Sequence, residues 1–135
     1  MRLLLDTQVL IWSLLKPDRL LTGTMEAIQN EASDVFVSIV SPWEIAIKKS
    51  RGNLNPPDDL GVQIAEKRFS LLPVSLRHTS AVESLPRHHG DPFDRMLVAQ
   101  AQTEGLTIVT SDRQIARYQV AIMQATRRGP ASGRG

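Results

Sequence analysis

Short apolar runs, each followed by a helical stretch, recur along this chain and constrain its fold more than any other feature. Leu3-Leu4-Leu5, Val35-Phe36-Val37, Leu71 to Val74, Thr107-Ile108-Val109 and Val120-Ala121-Ile122 read as strands. Most are apolar throughout rather than alternating, so both faces of the sheet must be covered. Helical patterns lie between them: Val9 to Leu15, stopped by Pro17; Thr22 to about Ala32; Ser41 to about Ser50; Asp58 or Asp59 through Phe69; and Thr79 to Leu85. Asp91-Pro92 opens a strong helix through Glu104, which Gly105 ends. A turn is expected at Asn55-Pro56-Pro57 and a short helix around Gln114–Ala116, and Pro73 pushes its strand toward an edge. This order predicts an α/β fold: one domain with a central, mostly parallel sheet of four to five strands and helices on both faces. Such sheets bind ligands beyond the carboxyl ends of their strands.

The 135 residues suffice for one domain and leave no room for a second. Cysteine is absent, which excludes a disulfide framework and a thiolate zinc site. Net charge is +2, but Arg127, Arg128 and Arg134 fall in a final segment without acids. Without them, 13 basic against 14 acidic residues leave −1. A near-neutral body argues against a broadly basic DNA-binding surface and is compatible with a basic rim around an acidic centre. Residues 1–125 are expected to form the domain and 126–135 a disordered basic tail. Asp6-Thr7-Gln8 interrupts the apolar N-terminus, no small-residue cleavage site follows, and no membrane-length apolar run exists, so a cytoplasmic location is expected.

The acids carry the chemistry. Asp6 follows the first strand directly, and Asp112 follows the Thr107–Val109 strand across Thr110-Ser111. Ser41-Pro42-Trp43-Glu44 and Asp91-Pro92-Phe93-Asp94 share one local order: cap, proline, aromatic, acid. Proline at the first helical position loses no needed N–H, and the acid then lies at the third position, near the positive end of the helix dipole. Each acid also has a purely structural reading. Ser41 and Glu44 match a capping box, Asp91 is a cap by position, and Asp6 and Asp112 can cap the helices behind their strands. Taken together, however, these positions converge on one end of a parallel sheet. Two carboxylates about 4 Å apart repel by ~4 kcal/mol at an effective dielectric near 20, so a cluster calls for a cation. Oxygen-only ligands suit Mg²⁺ or Mn²⁺, and such a site supports phosphodiester hydrolysis by a metal-activated water.

Four segments carry a family resemblance: residues 3–12 (Leu3-Leu4-Leu5-Asp6-Thr7-Gln8 onward), 37–48 around Ser41-Pro42-Trp43-Glu44, 89–101 around Asp91-Pro92-Phe93-Asp94-Arg95, and Val109-Thr110-Ser111-Asp112. In this order they resemble PIN-domain ribonuclease toxins of the VapC kind, over about residues 1–123. The resemblance implies a PIN-like fold and an endoribonuclease dependent on Mg²⁺ or Mn²⁺, with RNA as substrate. It also implies a VapB-like antitoxin as partner and a homodimer or larger toxin–antitoxin assembly. By motif position it assigns metal-binding and catalytic roles to Asp6, Glu44, Asp94 and Asp112, with Asp91 outside the core set. Gln8 stands where relatives often carry His or Asn, which removes no carboxylate. The alternative is a PIN-like domain with an inactive site that binds RNA or protein.

Other residues stay open on sequence alone. His88-His89 can be read as a weak metal site or as facing RNA phosphates. Thr7, Ser38, Thr110 and Ser111 can orient water or phosphate, or cap helices. Lys48, Lys49 and Arg51 read as a solvated face or an RNA rim, Trp12 and Trp43 as core or interface, and Arg95 as a carboxylate partner or a substrate contact. Gln8 stands where a phosphoaspartyl phosphatase needs a second acid, and a receiver domain's acidic pair and late lysine are both missing.

Overall fold

The computed structural model describes residues 1–52 and 57–127. Five strands form one sheet: β1 (Arg2–Leu5), β2 (Asp34–Ser38), β3 (Ser70–Leu72), β4 (Thr107–Thr110) and β5 (Ile122–Gln124). The order is β3-β2-β1-β4-β5, and every pairing is parallel. Leu4 pairs in register with Phe36 on one side and Ile108 on the other. β3 is an edge strand that stops before Pro73, as the missing proline N–H requires. β5 begins at Ile122, two residues beyond the expected start, because Val120 N–H closes a tight turn onto the Tyr118 carbonyl and the bonding to β4 starts only at the Ala121 carbonyl, which accepts from Ile108 N–H at 2.9 Å.

The helices are α1 (Thr7–Leu15), α2 (Thr22–Gln29), α3 (Val40–Ser50), α4 (Leu60–Glu66), α5 (Leu76–Glu83) and α6 (Pro92–Glu104), with 3-10 turns at Pro17–Arg19 and Ile115–Arg117. Alternate strand residues point to opposite faces. Leu3, Leu5, Val35, Val37 and Val109 pack with residues of α1, α2 and α4; Leu4 and Ile108 pack with those of α5 and α6. α3 serves both layers, through Ile45 and Val40.

Several boundaries differ from the sequence pattern for identifiable reasons. α2 ends at Gln29, where the Asn30 side chain accepts from Ala32 N–H at 2.8 Å and turns the chain. α4 stops at Glu66, and Arg68 turns the chain with φ +62° before Phe69 enters the core. Asp59 does not cap α4 with its side chain; it accepts from the Gln63 amide at 2.9 Å. α5 starts three residues earlier than Thr79, because Ser75 and His78 form a capping box. α6 follows its signals, with Asp91 as cap and Gly105 left-handed at φ +68°. The Asn55-Pro56 part of the expected turn and the tail beyond Arg127 lie outside the described residues. Up to that point the chain is held: Thr126 N–H donates to the Ser111 hydroxyl at 3.0 Å, and the two hydroxyls lie 2.6 Å apart.

From β1 the chain winds outward through β2 to β3, then crosses back to place β4 on the other side of β1. The carboxyl ends of β1 and β4 therefore flank the switch point, where open α/β sheets form their ligand crevice.

Candidate active site

A cleft of about 800 Å³ opens at this switch point. Asp6, Glu44, Asp91, Asp94 and Asp112 line it, with Lys48, Arg113 and Arg117 supplying positive charge. The four acids singled out in sequence thus come together from four separate segments.

Asp6 is buried and caps α1: its Oδ1 accepts from Val9 N–H at 2.7 Å. Its Oδ2 accepts from the Thr110 hydroxyl, which itself accepts from Asp112 N–H at 2.9 Å. Thr110 therefore ties the ends of β1 and β4 together. Asp112 also works as a local cap, with Oδ1 accepting from Gln114 N–H at 2.7 Å. Capping and cleft-lining are not alternatives here, because one carboxylate does both.

Glu44 departs from the capping-box reading. α3 begins at Val40, and no side chain caps it from Ile39. Instead, Glu44 Oε1 accepts from the Thr7 hydroxyl at 2.7 Å, and Oε2 pairs with Lys48 Nζ at 2.8 Å. Ser41 is fully buried with its hydroxyl 2.9 Å from that of Thr7. Lys48 is thereby drawn from a solvated face into the cleft, and its ammonium is held above the usual lysine range chiefly by its hydrogen bond to Glu44. Lys49 stays outside, 3.1 Å from exposed Asp58.

At the opposite wall Asp91 caps α6, accepting from Phe93 and Asp94 N–H at 2.8 and 3.1 Å. Asp94 lies at the third helical position. His89 Nε2 lies 3.0 Å from Oδ2 of Asp94 and 3.0 Å from Oδ2 of Asp112. The adjacent histidine takes no part, since His88 packs edge-on to Tyr118. Among the described residues Arg95 pairs with no carboxylate: it donates to the carbonyls of Val82, Leu85 and Pro86 and to the Tyr118 hydroxyl, pinning the loop before α6. Trp12 is partly buried on the cleft wall. Trp43 is exposed rather than core, edge-on to Phe93 at 5.1 Å. Ser38 only caps, accepting from Val40 N–H at 3.2 Å.

The electrostatics fit a cluster of acids short of cations. Burial pushes the Asp6 carboxyl up to about 6, against the Thr110 and Val9 hydrogen bonds that pull it down; the Asp112 and Glu44 charges raise it further. Burial pushes Asp94 up to about 7, with the Asp91 and Asp6 charges adding to the rise and His89 opposing it. Burial is the main cause of both rises, and the neighbouring carboxylates add to it. A hard divalent cation matches such an oxygen-rich donor set.

A family model described as the PIN domain matches residues 3–121. The chain belongs to the PIN domain family. Among individual proteins, this PIN domain is similar to Ribonuclease VapC22 of Mycobacterium tuberculosis (strain ATCC 25618 / H37Rv), at 28% identity over 118 residues, covering 85% of this chain and 90% of that protein. In structure it is similar to VapBC2 from Rickettsia felis, solved bound to a DNA fragment from their promoter. There the TM-score is 0.67 at 15% identity, over 93% of this chain and 99% of that one. It is also similar to FitAcB from Neisseria gonorrhoeae, with a TM-score of 0.62 at 20% identity, over 90% and 96%. These two likenesses establish a shared PIN-domain fold. No helix among the described residues is long and apolar enough to cross a membrane.

Lys48 and His89 are the site residues whose roles sequence reasoning missed. The i,i+4 spacing of Glu44 and Lys48 was a readable signal for their pairing. His89 carried none, since its partners lie 5 and 23 residues away and only the fold joins them.

Proposed function

We propose that this PIN domain is an endoribonuclease dependent on Mg²⁺ or Mn²⁺ and the toxin of a toxin–antitoxin pair. One observation carries the reading: Asp6, Glu44, Asp94 and Asp112, from four segments, line one cleft at the sheet's switch point. Burial, with the neighbouring acids, raises Asp6 to about 6 and Asp94 to about 7, a cost of ionisation that a bound divalent ion would offset. A bound ion would supply a water of lowered pKa and neutralise charge on the scissile phosphodiester. The chain's own residues do the rest. The four acids hold the ion, Thr7 and Thr110 fix two of them, and Lys48 with Arg113 and Arg117 attracts the phosphate backbone into the cleft.

The named activity of the Mycobacterium relative, which aligns over most of both chains, supports RNA as the substrate. A protein antitoxin of the VapB kind and assembly as a homodimer are part of the proposal. They draw support from the resemblance and from structural relatives that include a toxin–antitoxin complex from Klebsiella pneumoniae. We take residues 1–125 as the nuclease domain, 126–135 as a basic tail, and the cytoplasm as the place of action.

Purified protein free of any partner, mixed with single-stranded RNA, tests the reading. Cleavage should stop in EDTA and return with Mn²⁺ or Mg²⁺. Cleavage that persists unchanged in chelator overturns the metal mechanism, and no cleavage with either ion overturns the nuclease reading.

A further inference from the structure

The pair of contacts made by His89 has a chemical consequence that follows from its other nitrogen. Nδ1 lies 3.2 Å from the backbone N–H of Asp91 and accepts from it. A nitrogen that accepts a hydrogen bond carries no proton, so the neutral ring has its proton on Nε2. Nε2 therefore faces the carboxylates of Asp94 and Asp112 as a donor, at 3.0 Å from each. A protonated nitrogen cannot bind a metal, so the grouping of His89, Asp94 and Asp112 is not a three-ligand site with a nitrogen donor, although the three lie close enough to suggest one.

Three further observations fix the side from which His89 acts. It stands outside the lining of the cleft, whereas Asp94 and Asp112 are part of it. Its own backbone N–H donates to the Tyr118 hydroxyl at 3.1 Å, and that hydroxyl also accepts from Arg95, so the histidine is anchored to the framework. Its side chain is only 14% exposed. We infer that His89 is a positioning residue, an anchored donor behind the cleft that holds the carboxylates of Asp94 and Asp112 together for a divalent cation. This rests on the metal-dependent reading above and deepens it.

Without the donor, two like charges on separate segments lose the group that bridges them and turn apart, and the ion must reassemble them on binding. Loss of an outer partner of a metal ligand costs roughly 10–100-fold in metal affinity. His89→Leu should weaken Mg²⁺ binding by that factor in calorimetry. His89→Gln, whose amide nitrogen reaches about as far as Nε2, should largely restore it. Long-range proton–nitrogen NMR of the wild-type ring should show Nε2 protonated and Nδ1 bare, both without and with Mg²⁺. A folded His89→Leu protein that binds Mg²⁺ as tightly as wild type overturns the inference. So does deprotonation of Nε2 on adding Mg²⁺, which would make His89 a ligand. The NMR result decides the matter on wild-type protein if the leucine variant does not fold. Wild-type protein that binds no Mg²⁺ at all overturns the metal reading together with this one, whereas binding that ignores His89 overturns this one alone.

Discussion

Ser41-Pro42-Trp43-Glu44 and Asp91-Pro92-Phe93-Asp94 carry the same local order and build opposite walls of one cleft, yet they enter their helices differently. At α6 the pattern is obeyed: Asp91 caps, Pro92 is the first helical residue and Asp94 the third. At α3 the helix has already begun at Val40, so Pro42 is its third residue and Glu44 its fifth. Proline is tolerated there because first-turn N–H groups have no partner inside the helix. The decisive difference is tertiary. The Ser41 hydroxyl is spent on Thr7 of α1, and the Ser38 hydroxyl takes the Val40 N–H instead. A capping signature thus states what a residue can do locally, and a buried partner decides what it does. The two acids also end in different electrical settings: Glu44 has an ammonium at 2.8 Å, whereas Asp94 has an imidazole donor and other acids around it.

The largest effect expected from that contrast falls on Asp94. Asp94→Asn should cut RNA cleavage by about 10²–10³-fold, the scale of removing a group that stabilises transition-state charge. Its melting temperature at pH 7.5 should hold or rise, since a carboxyl raised by burial no longer has to ionise. A parallel loss of stability would mean that Asp94 is a structural cap and not a ligand.

The pH dependence of stability comes next. Asp6 and Asp94 have folded-state values near 6 and 7, above the ordinary 3.8 of an unfolded aspartate. The folded state therefore binds more protons between about pH 4 and 7, and by linkage stability falls as pH rises through that window. Their favourable contribution is complete below about pH 4 and lost above about pH 7. Melting curves of the metal-free protein should fall from pH 5 to pH 8, and added Mg²⁺ should raise the melting temperature more at pH 8 than at pH 5. An equal Mg²⁺ effect at both values would contradict a cation that replaces protons.

Lys48 sharpens the other wall. Its side chain is 50% exposed, so solvent screening limits its worth. Lys48→Met should cost the metal-free protein only about 1 kcal/mol, and saturating Mg²⁺ should recover much of it by neutralising Glu44. A larger loss that Mg²⁺ leaves untouched would show that Lys48 acts through packing.

The smallest effects separate the caps themselves. Asp91→Ala should cost about 1 kcal/mol and speed amide exchange at Phe93 and Asp94. Ser41→Ala should lose the Thr7 contact and leave exchange at Trp43 and Glu44 unchanged. Faster exchange at Glu44 would restore the capping box to α3.

The same contrast marks what was legible in the chain. Local signals carried α6 whole, from Asp91 to the left-handed Gly105, because cap, proline and glycine each act on their own backbone. They carried the alternation of strands and helices, and with it a parallel sheet, far enough to gather Asp6, Glu44, Asp94 and Asp112 at one end. They failed at α5, where the third-position partner of Ser75 is His78 rather than an acid or amide. They failed again wherever hydroxyls or rings act across the fold, as with Thr7 on Glu44, 37 residues away, and Thr110 on Asp6, 104 residues away. Those contacts exist only once the parallel sheet has brought β1, β4 and α3 together.

Asp91 and Asp94 stand three residues apart, and the account assigns backbone N–H groups to one and the cation to the other. Calorimetric titration with Mn²⁺ at pH 7.5, run on wild type, Asp91→Asn and Asp94→Asn, tests that division directly. Asparagine still caps, so Asp91→Asn should bind close to wild type, while Asp94→Asn should lose most of its affinity. Lost binding in Asp91→Asn with binding retained in Asp94→Asn would reverse cap and ligand and contradict the account.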